Sequence, residues 1–362
     1  MIAIEMLPGG HGDALVVEYG DGNDIHRLLV DAGTVHSYDD VRSRLLARRD
    51  KRYEAFVITH VDEDHIGGAV ELLADPDLSH RIRHVWFNGY VHSERGGNVL
   101  GPVDGERLTQ RIADGGFEWN KPFPDPVSPL VGGSVVVPSA GDLPTFTLPG
   151  GATVYLLSPS GAKLKKMAKV WLDVVTKAGL VAGQGSDRDS RAMKSFDKDV
   201  EEKLEPLSDD EIQLLTEQKG TDRSEANGSS IAFILEHAGK RALLTADAHP
   251  KTLVASLKRF AKMKGEDRVR IDLCKLPHHG SRGNVTVDLI EAIASENYLV
   301  STDGRTFGHP DDAAIARLLR SSALPPRIHF NYDTQRARNW VKTAAARGAE
   351  ILLPPGATRV EV

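Results

Sequence analysis

The chain has 362 residues, of which 40% are hydrophobic and 27% charged, and its formal net charge is −6. This composition is typical of a soluble globular protein with a sizeable core, and it excludes a global basic field for nucleic acid while leaving room for a local basic groove. Cys274 is the only cysteine, which excludes an intrachain disulfide and a cysteine-based zinc site. No apolar run approaches the roughly 20 residues of a membrane helix, and the N-terminus lacks signal-peptide features. We therefore expect a cytoplasmic protein with no membrane contact.

Short apolar runs alternate with glycine-rich turns in the first ninety residues, a pattern that predicts a β-hairpin followed by alternating helices and strands. The predicted strands are 14–19, 27–30, 55–58 and 82–87, and the predicted helices are 38–49 and a segment ending near residue 73.

The middle of the chain has a weaker pattern. Residues 91–150 are rich in glycine and carry prolines at 122, 124, 126 and 129, which predicts irregular surface structure or a lid. A strand is predicted at 154–157 and a helix at 162–180. Residues 181–226 are polar, and outside a helix at 209–218 we expect mainly a solvated insertion without chemistry.

The second half is more regular. Its predicted strands are 229–235, 241–245, 271–276, 298–301, 350–353 and 358–362, and its predicted helices are 249–264, 286–294 and 333–347. Pro310 is expected to open another helix, because proline is favoured at the first helical position.

Four potential metal ligands lie within six residues, directly after the apolar strand at 55–58. They are His60, Asp62, Asp64 and His65. Histidines and aspartates also occur singly on loops, as helix caps or solvated groups, but this density at a strand-to-helix junction predicts a metal site. Imidazole and carboxylate together suit zinc, manganese or iron.

Other ligand-type residues also follow the ends of predicted strands: Asp31, Asp247, His278, His279 and His309. Each has a mundane alternative, since Asp31 could be a turn residue, Asp247 a helix cap and His309 a surface histidine. Because strand C-termini of a layered α/β fold gather at one rim, their shared position predicts that they join the site.

Taken together, the segments GHGDALVVEYG, LLVDAG, ITHVDEDHIGG, NGSSIAFIL, ALLTADAH, LPHHGS and VSTDGRTFGHP resemble the metallo-β-lactamase superfamily. They are most similar to its branch of ComEC-type competence protein hydrolase domains and phosphorylcholine esterases. The resemblance implies an α/β fold of four layers, an αββα sandwich. It further implies a single domain over 1–362, with insertions at about 91–150 and 161–226 and a C-terminal α/β extension at about 311–362.

The resemblance also implies a centre of two divalent ions, zinc or manganese. The implied metal ligands are His60, Asp62, Asp64, His65, Asp247 and His279, with Asp247 bridging both ions. The implied catalytic residues are Asp64, His278 facing the substrate, and His309 near the leaving group. Asp31 would orient a ligand. Which of the two adjacent histidines binds metal stays open, because neighbouring residues point in different directions.

Three positions depart from the family pattern. Asn227, with Ser229 nearby, stands where many members have a histidine ligand, which puts full occupancy in question or favours a harder ion such as Mn²⁺. Ala246 replaces a glycine, which is acceptable if its φ is negative. His11 replaces a glutamine and adds a polar group near the site.

The resulting hypothesis is a metal-dependent hydrolase of phosphoesters, a phosphodiesterase or nuclease that uses a metal-activated water. Its substrate would be DNA, a nucleotide or a choline-phosphate-type headgroup. A lactone, thioester or β-lactam hydrolase would share the site. An oxygen-reducing di-iron protein would share the fold, but the chain offers no flavin-binding extension or rubredoxin-type cysteines. A non-catalytic component of a multiprotein defence or DNA-processing system, with separately encoded partners, is the remaining alternative.

Overall fold

The computed structural model describes residues 1–48, 51–93, 103–123, 132–178, 180–181, 200–203, 205–356 and 358–362. Its strands, β1 to β17 in chain order, are Ile2–Met6, Leu15–Asp21, Asp24–Val30, Ala55–Val57, His84–Trp86, Glu118–Trp119, Thr145–Thr147, Thr153–Ser158, Ala232–His237, Lys240–Leu244, Val269–Arg270, Leu273–Lys275, Ile293–Ala294, Asn297–Val300, Arg327–Phe330, Glu350–Leu352 and Arg359–Glu361.

The α-helices, α1 to α12, are Tyr38–Leu46, Glu63–Ala74, Tyr90–Ser93, Val103–Asp114, Gly161–Ala178, Asp209–Glu217, Glu225–Gly228, Pro250–Lys264, Val287–Glu291, Asp312–Ser321, Gln335–Arg338 and Val341–Ala345. Short 3₁₀ helices occur at Val35–Ser37, Ser79–Arg81, Pro149–Gly151 and Pro277–Gly280.

Two large sheets dominate the described part of the chain. The first has the order β17-β1-β2-β3-β4-β5-β6, and the second has the order β16-β15-β14-β12-β10-β9-β8-β7. In the first sheet β3, β4, β5 and β6 are parallel neighbours, and in the second β10, β12, β14, β15 and β16 are parallel. Each sheet therefore presents a row of strand C-termini along one edge, where sites form in such folds.

Alternation of side chains along each strand builds separate apolar layers. In β4, Ala55 and Val57 join the core between the two sheets, whereas Phe56 faces the helices outside the first sheet, together with Val41 of α1 and Ile66 of α2. Helices α8, α9 and α10 contribute apolar residues to the core beneath the second sheet. The layers are thus helix, sheet, sheet and helix, and the αββα sandwich expected from the sequence is confirmed.

The prediction of irregular structure over 91–150 is wrong for part of that range. Residues 103–114 form α4, which buries Leu108 and Ile112 against α2. Gly105 lies so close to the Trp171 ring that a Cβ there would be 2.8 Å from a ring carbon. Glycine usually weakens a helical pattern, but at this position it allows Trp171 to pack against α4. Prolines 124, 126 and 129 lie outside the described residues.

Two predictions about the tail are also corrected. The helix predicted at 333–347 is two short helices, α11 and α12, because Asn339 and Trp340 interrupt it. Pro310 does not open a helix: α10 begins at Asp312, and Asp311 is its N-cap residue. The helix predicted at 209–218 is confirmed as α6, whose first turn is closed by a capping box between Ser208 and Glu211.

Candidate metal centre

The segment between β4 and α2 delivers four of the candidate ligands. His60 lies on the loop after β4, Asp62 is the N-cap residue of α2, and Asp64 and His65 lie in its first turn. The loop before β2 packs so tightly against this turn that a Cβ on Gly12 would be 1.6 Å from the Asp64 carbonyl oxygen. The ligand loop is therefore fixed by close backbone contact as well as by its own helix.

Asp31, directly after β3, fixes this loop through hydrogen bonds to Thr59 and His65. Its two carboxylate oxygens accept hydrogen bonds from the backbone N–H (2.8 Å) and the hydroxyl (2.7 Å) of Thr59. The oxygen that takes the hydroxyl also lies 2.7 Å from Nδ1 of His65. A hydrogen bond at Nδ1 leaves the Nε2 lone pair of His65 free to face the centre.

Asp247, after β10, brings the second sheet to the same place. Its Oδ1 is 3.4 Å from Nε2 of His65 and 3.8 Å from Nε2 of His279. Its Oδ2 is 3.9 Å from Nε2 of His60 and 3.6 Å from Nε2 of His278. The two oxygens of one buried carboxylate thus face two separate pairs of imidazoles.

A further carboxylate lies beside each of the two imidazole pairs that face Asp247. Asp64 Oδ2 is 3.3 Å from Nε2 of His279 and 3.9 Å from Nε2 of His65. Asp62 Oδ2 is 3.6 Å from Nε2 of His60, and its side chain is 42% exposed. The structure brings all six sequence-predicted ligands together, Asp62 on the solvent side.

The adjacent histidines both point at the centre. Each has a left-handed backbone, with φ of 49° at His278 and 53° at His279. Nδ1 of His279 donates to the carbonyl oxygen of Ser301 over 2.8 Å, and Nδ1 of His278 lies 3.0 Å from Oδ1 of Asn284. Both bonds leave an Nε2 lone pair directed inward.

The remaining sequence-predicted residues border the centre. The His309 ring lies 5.3 Å from the His278 ring, centroid to centroid. His11 contacts the Thr306 hydroxyl through Nδ1 at 3.1 Å and the Phe307 ring edge-on. Nδ2 of Asn227 donates to the carboxylate of Asp222 over 2.9 Å and also lies 3.4 Å from Nδ1 of His278.

The donor set fits divalent metal. Nε2 of His60 and Oδ1 of Asp247 are buried without a hydrogen-bond partner among the described residues, a costly arrangement unless something else binds them. His60, His65 and Asp247 offer donor atoms within 4.8 Å of one another, and so do Asp64, His65 and His279. Imidazole and carboxylate donors at this spacing suit zinc or manganese.

The electrostatics of the pocket also favour a cation. Burial lowers the pKa of His65, but the carboxylates of Asp247 and Asp31 raise that pKa well above 6.5. Burial raises the pKa of Asp247, and the neighbouring histidines nevertheless hold it well below its usual value. The buried carboxylates thus favour a positive charge beside them. A divalent ion could supply this charge by displacing a proton from a histidine.

Sequence reasoning missed a charged pair beneath the centre. Lys275 Nζ is 2.7 Å from Asp13 Oδ2, with side chains 0% and 1% exposed, and Asp13 Oδ1 is 3.4 Å from Nδ1 of His279. Asp13 lies in the GHGDA segment and Lys275 directly before LPHHGS, so their place beside the motifs was the available signal.

A second missed group surrounds Asp222, in the segment expected to be a solvated insertion. Its Oδ2 accepts from Nδ2 of Asn284 at 2.8 Å and from Nδ2 of Asn227 at 2.9 Å, and it lies 3.6 Å from Nδ1 of His278. Nothing in the local sequence distinguishes this aspartate from its polar neighbours.

The condition placed on Ala246 is not met. Its φ is +45°, in the left-handed region that favours glycine. The residue precedes Asp247, and its carbonyl oxygen accepts from the His278 backbone N–H at 3.0 Å. The backbone here is held in an unfavourable conformation between two functional side chains.

Comparison with family models finds a similarity to a known family. Residues 7–156 match the family model for the Metallo-beta-lactamase superfamily. That part of the chain is therefore similar to this superfamily, and the match covers less than half of the 362 residues. A search of curated proteins found no match.

Solved structures resemble the chain loosely. A Parabacteroides distasonis protein, provisionally named a metal-dependent hydrolase, is 11% identical over 90% of this chain and 92% of its own, with a TM-score of 0.37. CmlA, a diiron β-hydroxylase from Streptomyces venezuelae, is 13% identical over 100% of this chain and 54% of its own, with a TM-score of 0.42. A Cronobacter sakazakii metallo-β-lactamase is 13% identical over 75% and 76%, with a TM-score of 0.30. Likenesses this distant say nothing about activity.

No helix in the described part of the chain has the length and apolar character that crossing a bilayer requires.

Proposed function

We propose that this protein is a two-metal phosphodiesterase acting on the phosphodiester of a nucleotide or nucleic acid. The observation that carries the proposal is the position of Asp247, whose two buried oxygens each face two imidazole Nε2 atoms. Such an arrangement suits one carboxylate shared by two ions, the usual design for displacement at phosphorus. Zinc and manganese both suit the donors, and the ComEC-like and phosphorylcholine esterase branch remains the most similar one in motif.

The chain's own residues would act in three ways. His60, Asp62, Asp64, His65, Asp247 and His279 would hold the ions, which when bound polarise a phosphoryl oxygen and make water a better nucleophile at neutral pH. The three carboxylates among them offset the positive charge. Asp31 holds His65 in one orientation through the 2.7 Å contact at Nδ1.

His309 is placed to meet the leaving oxygen rather than the ions. Burial, the largest cause, lowers the pKa of His309 to about 4, so its imidazole is neutral at physiological pH. A neutral imidazole can donate a hydrogen bond to a developing negative charge, whereas it carries no extra proton to transfer. His309 therefore stabilises the leaving oxygen in this mechanism.

Features at the mouth of the centre suit an anionic, aromatic substrate. Arg282 and Arg305 are exposed on the loops that carry His279 and His309, where guanidinium groups can attract a phosphate backbone. Phe307 is 45% exposed while its ring packs against His11 and His309. An exposed ring beside a phosphodiester site can stack on a base.

The test is turnover of bis-p-nitrophenyl phosphate by protein stripped of metal and then reconstituted with Zn²⁺ or Mn²⁺. We expect metal-dependent turnover, with activity lost in Asp64→Asn and His65→Ala. Asp272→Asn is the matched control, because this buried carboxylate lies at the opposite end of β12 and binds the Arg241 backbone N–H. A lactone, a thioester and a β-lactam are assayed in parallel. Metal-independent turnover, full activity in both ligand variants, or turnover of only a carboxylic substrate would each refute the proposal.

A further inference from the structure

The ligand group around Asp247 Oδ2 is short of one donor relative to the group around Oδ1. The Oδ1 side has two imidazoles and the Asp64 carboxylate within 4 Å of one another. On the Oδ2 side, the position from which a histidine would come holds Asn227. Its Nδ2 donates to Asp222, and its Oδ1 is buried without a hydrogen-bond partner among the described residues. An ion bound by His60, Asp62 and Asp247 alone would have one imidazole.

His278 lies where the missing donor is needed. Its Nε2 is 3.6 Å from Asp247 Oδ2, and the same oxygen is 3.9 Å from Nε2 of His60. Donors that share a tetrahedral ion at about 2.0–2.2 Å are roughly 3–4 Å apart. Each imidazole thus lies from this carboxylate oxygen at a distance that suits two donors to one ion.

A polar network holds the His278 ring in this orientation. Nδ1 of His278 lies 3.0 Å from Oδ1 of Asn284 and 3.4 Å from Nδ2 of Asn227. Because an amide oxygen can only accept, the shorter contact assigns the hydrogen to Nδ1 and the lone pair to Nε2. The Asn284 amide is in turn fixed by its 2.8 Å bond to Asp222. Asp222 also accepts from the Ser224 backbone N–H at 2.9 Å, and its side chain is only 6% exposed.

The backbone of the histidine pair supports the same arrangement. Consecutive residues in extended structure point to opposite sides, whereas His278 and His279 are both left-handed. This conformation is unfavourable for residues with a Cβ. Its consequence is that both imidazoles face Asp247, one toward each of its oxygens.

We infer that His278 is a ligand of the ion at His60, in place of the histidine absent at Asn227, and that Asp222 is the positioning residue that fixes it through Asn284. The inference rests on the proposed two-metal centre and deepens it. It assigns His278 to the metal rather than to the substrate. It also makes Asp222, from the segment 181–226 that was expected to carry no chemistry, part of the support of the centre.

The test counts metal ions per chain by elemental analysis after dialysis against a buffered Zn²⁺ concentration, with zinc affinity measured by competition with a chromophoric chelator. We expect two ions in the parent protein and one in His278→Ala. We expect Asp222→Asn to bind its weaker ion 10–100-fold less tightly, the usual cost of losing a partner that orients a ligand. His309→Ala is the matched control, since it removes the neighbouring imidazole and should keep two ions.

His278→Gln serves if the alanine variant does not fold, as judged by circular dichroism. Two ions bound with parental affinity in a folded His278 variant would overturn the inference while leaving the proposed function intact. Fewer than two ions in the parent protein would refute the two-metal centre itself, and His278 as its ligand with it. Loss of an ion in His309→Ala to the same degree would also count against the assignment.

Discussion

Replacing Lys275 by methionine should destabilise the protein through a charge left behind in the core. The Lys275 and Asp13 side chains are 0% and 1% exposed, and their 2.7 Å contact joins the second sheet to the loop between β1 and β2 of the first sheet. Nζ also donates to the Leu276 carbonyl oxygen at 3.0 Å. Lys275→Met removes the cation with little change of shape and leaves the Asp13 carboxylate buried.

The size of the effect follows from the geometry. Two unit charges 2.7 Å apart attract by about 6 kcal/mol at an effective dielectric constant of about 20. Desolvation of both groups offsets part of this, and removing one partner of a buried pair typically costs about 3–5 kcal/mol. We expect the free energy of unfolding to fall by that amount at pH 7.5, measured by urea denaturation in the presence of a chelator.

The pH dependence of the stability of Lys275→Met tests whether the Asp13 carboxylate stays charged in the core. Burial raises the pKa of Asp13, and Lys275 is the first of the cations that hold that pKa below its usual value. Removing Lys275 raises the pKa of Asp13 in the folded state, although His279 and His65 still lower it. The stability difference between parent and variant should therefore shrink as pH falls and Asp13 takes up a proton in the variant. The Asp13→Asn/Lys275→Met double variant should recover most of the loss. If the free energy of unfolding of Lys275→Met lies within about 1 kcal/mol of the parent value at pH 7.5, the reasoning is refuted.

Two further effects concern single residues. Ala246→Gly should raise the free energy of unfolding by about 1 kcal/mol, because φ at residue 246 is +45° and glycine adopts it without the Cβ penalty; an equal or lower denaturation midpoint would contradict this. Burial and then Arg327 lower the pKa of His329 to about 4, below its unfolded value of about 6.5. Stability is therefore lost as pH falls from 6.5 toward 4, by up to about 3 kcal/mol, and His329→Gln should abolish that component of the pH profile. An unchanged profile would contradict the assignment.

The candidate ligands that lie next to one another in the sequence were the easiest to predict. His60, Asp62, Asp64 and His65 occupy one strand-to-helix junction, so their order alone indicates a shared target. Asp247 and the histidine pair could be added because strand C-termini of a parallel sheet meet at one edge. Short buried apolar runs also predicted most strands, whereas the αββα layers were implied by the resemblance of the motifs to a known family.

The remaining features depend on tertiary contacts that no local pattern encodes. Asp222 lies in a polar stretch and becomes part of the site only because it meets Asn284, 62 residues further along the chain. Helix α4 was missed because Gly105 interrupts its pattern, although the packing of Trp171 requires a glycine there. The backbone is also left-handed at Ala246, His278 and His279. The geometry of the site requires this conformation, which the backbone preferences of alanine and histidine do not predict.

The donors follow strands of both sheets: His60, Asp64 and His65 come after β4 of the first sheet, Asp247 after β10 and His279 after β12 of the second. Under the proposed function, ions bound between these donors would link the two sheets. Because such ions would bind only the folded chain, an ion present at 1,000 times its dissociation constant would add about 4.1 kcal/mol to stability. The metal supply around the protein would then govern how long each molecule survives proteolysis, and scarcity would remove the protein as well as its catalysis.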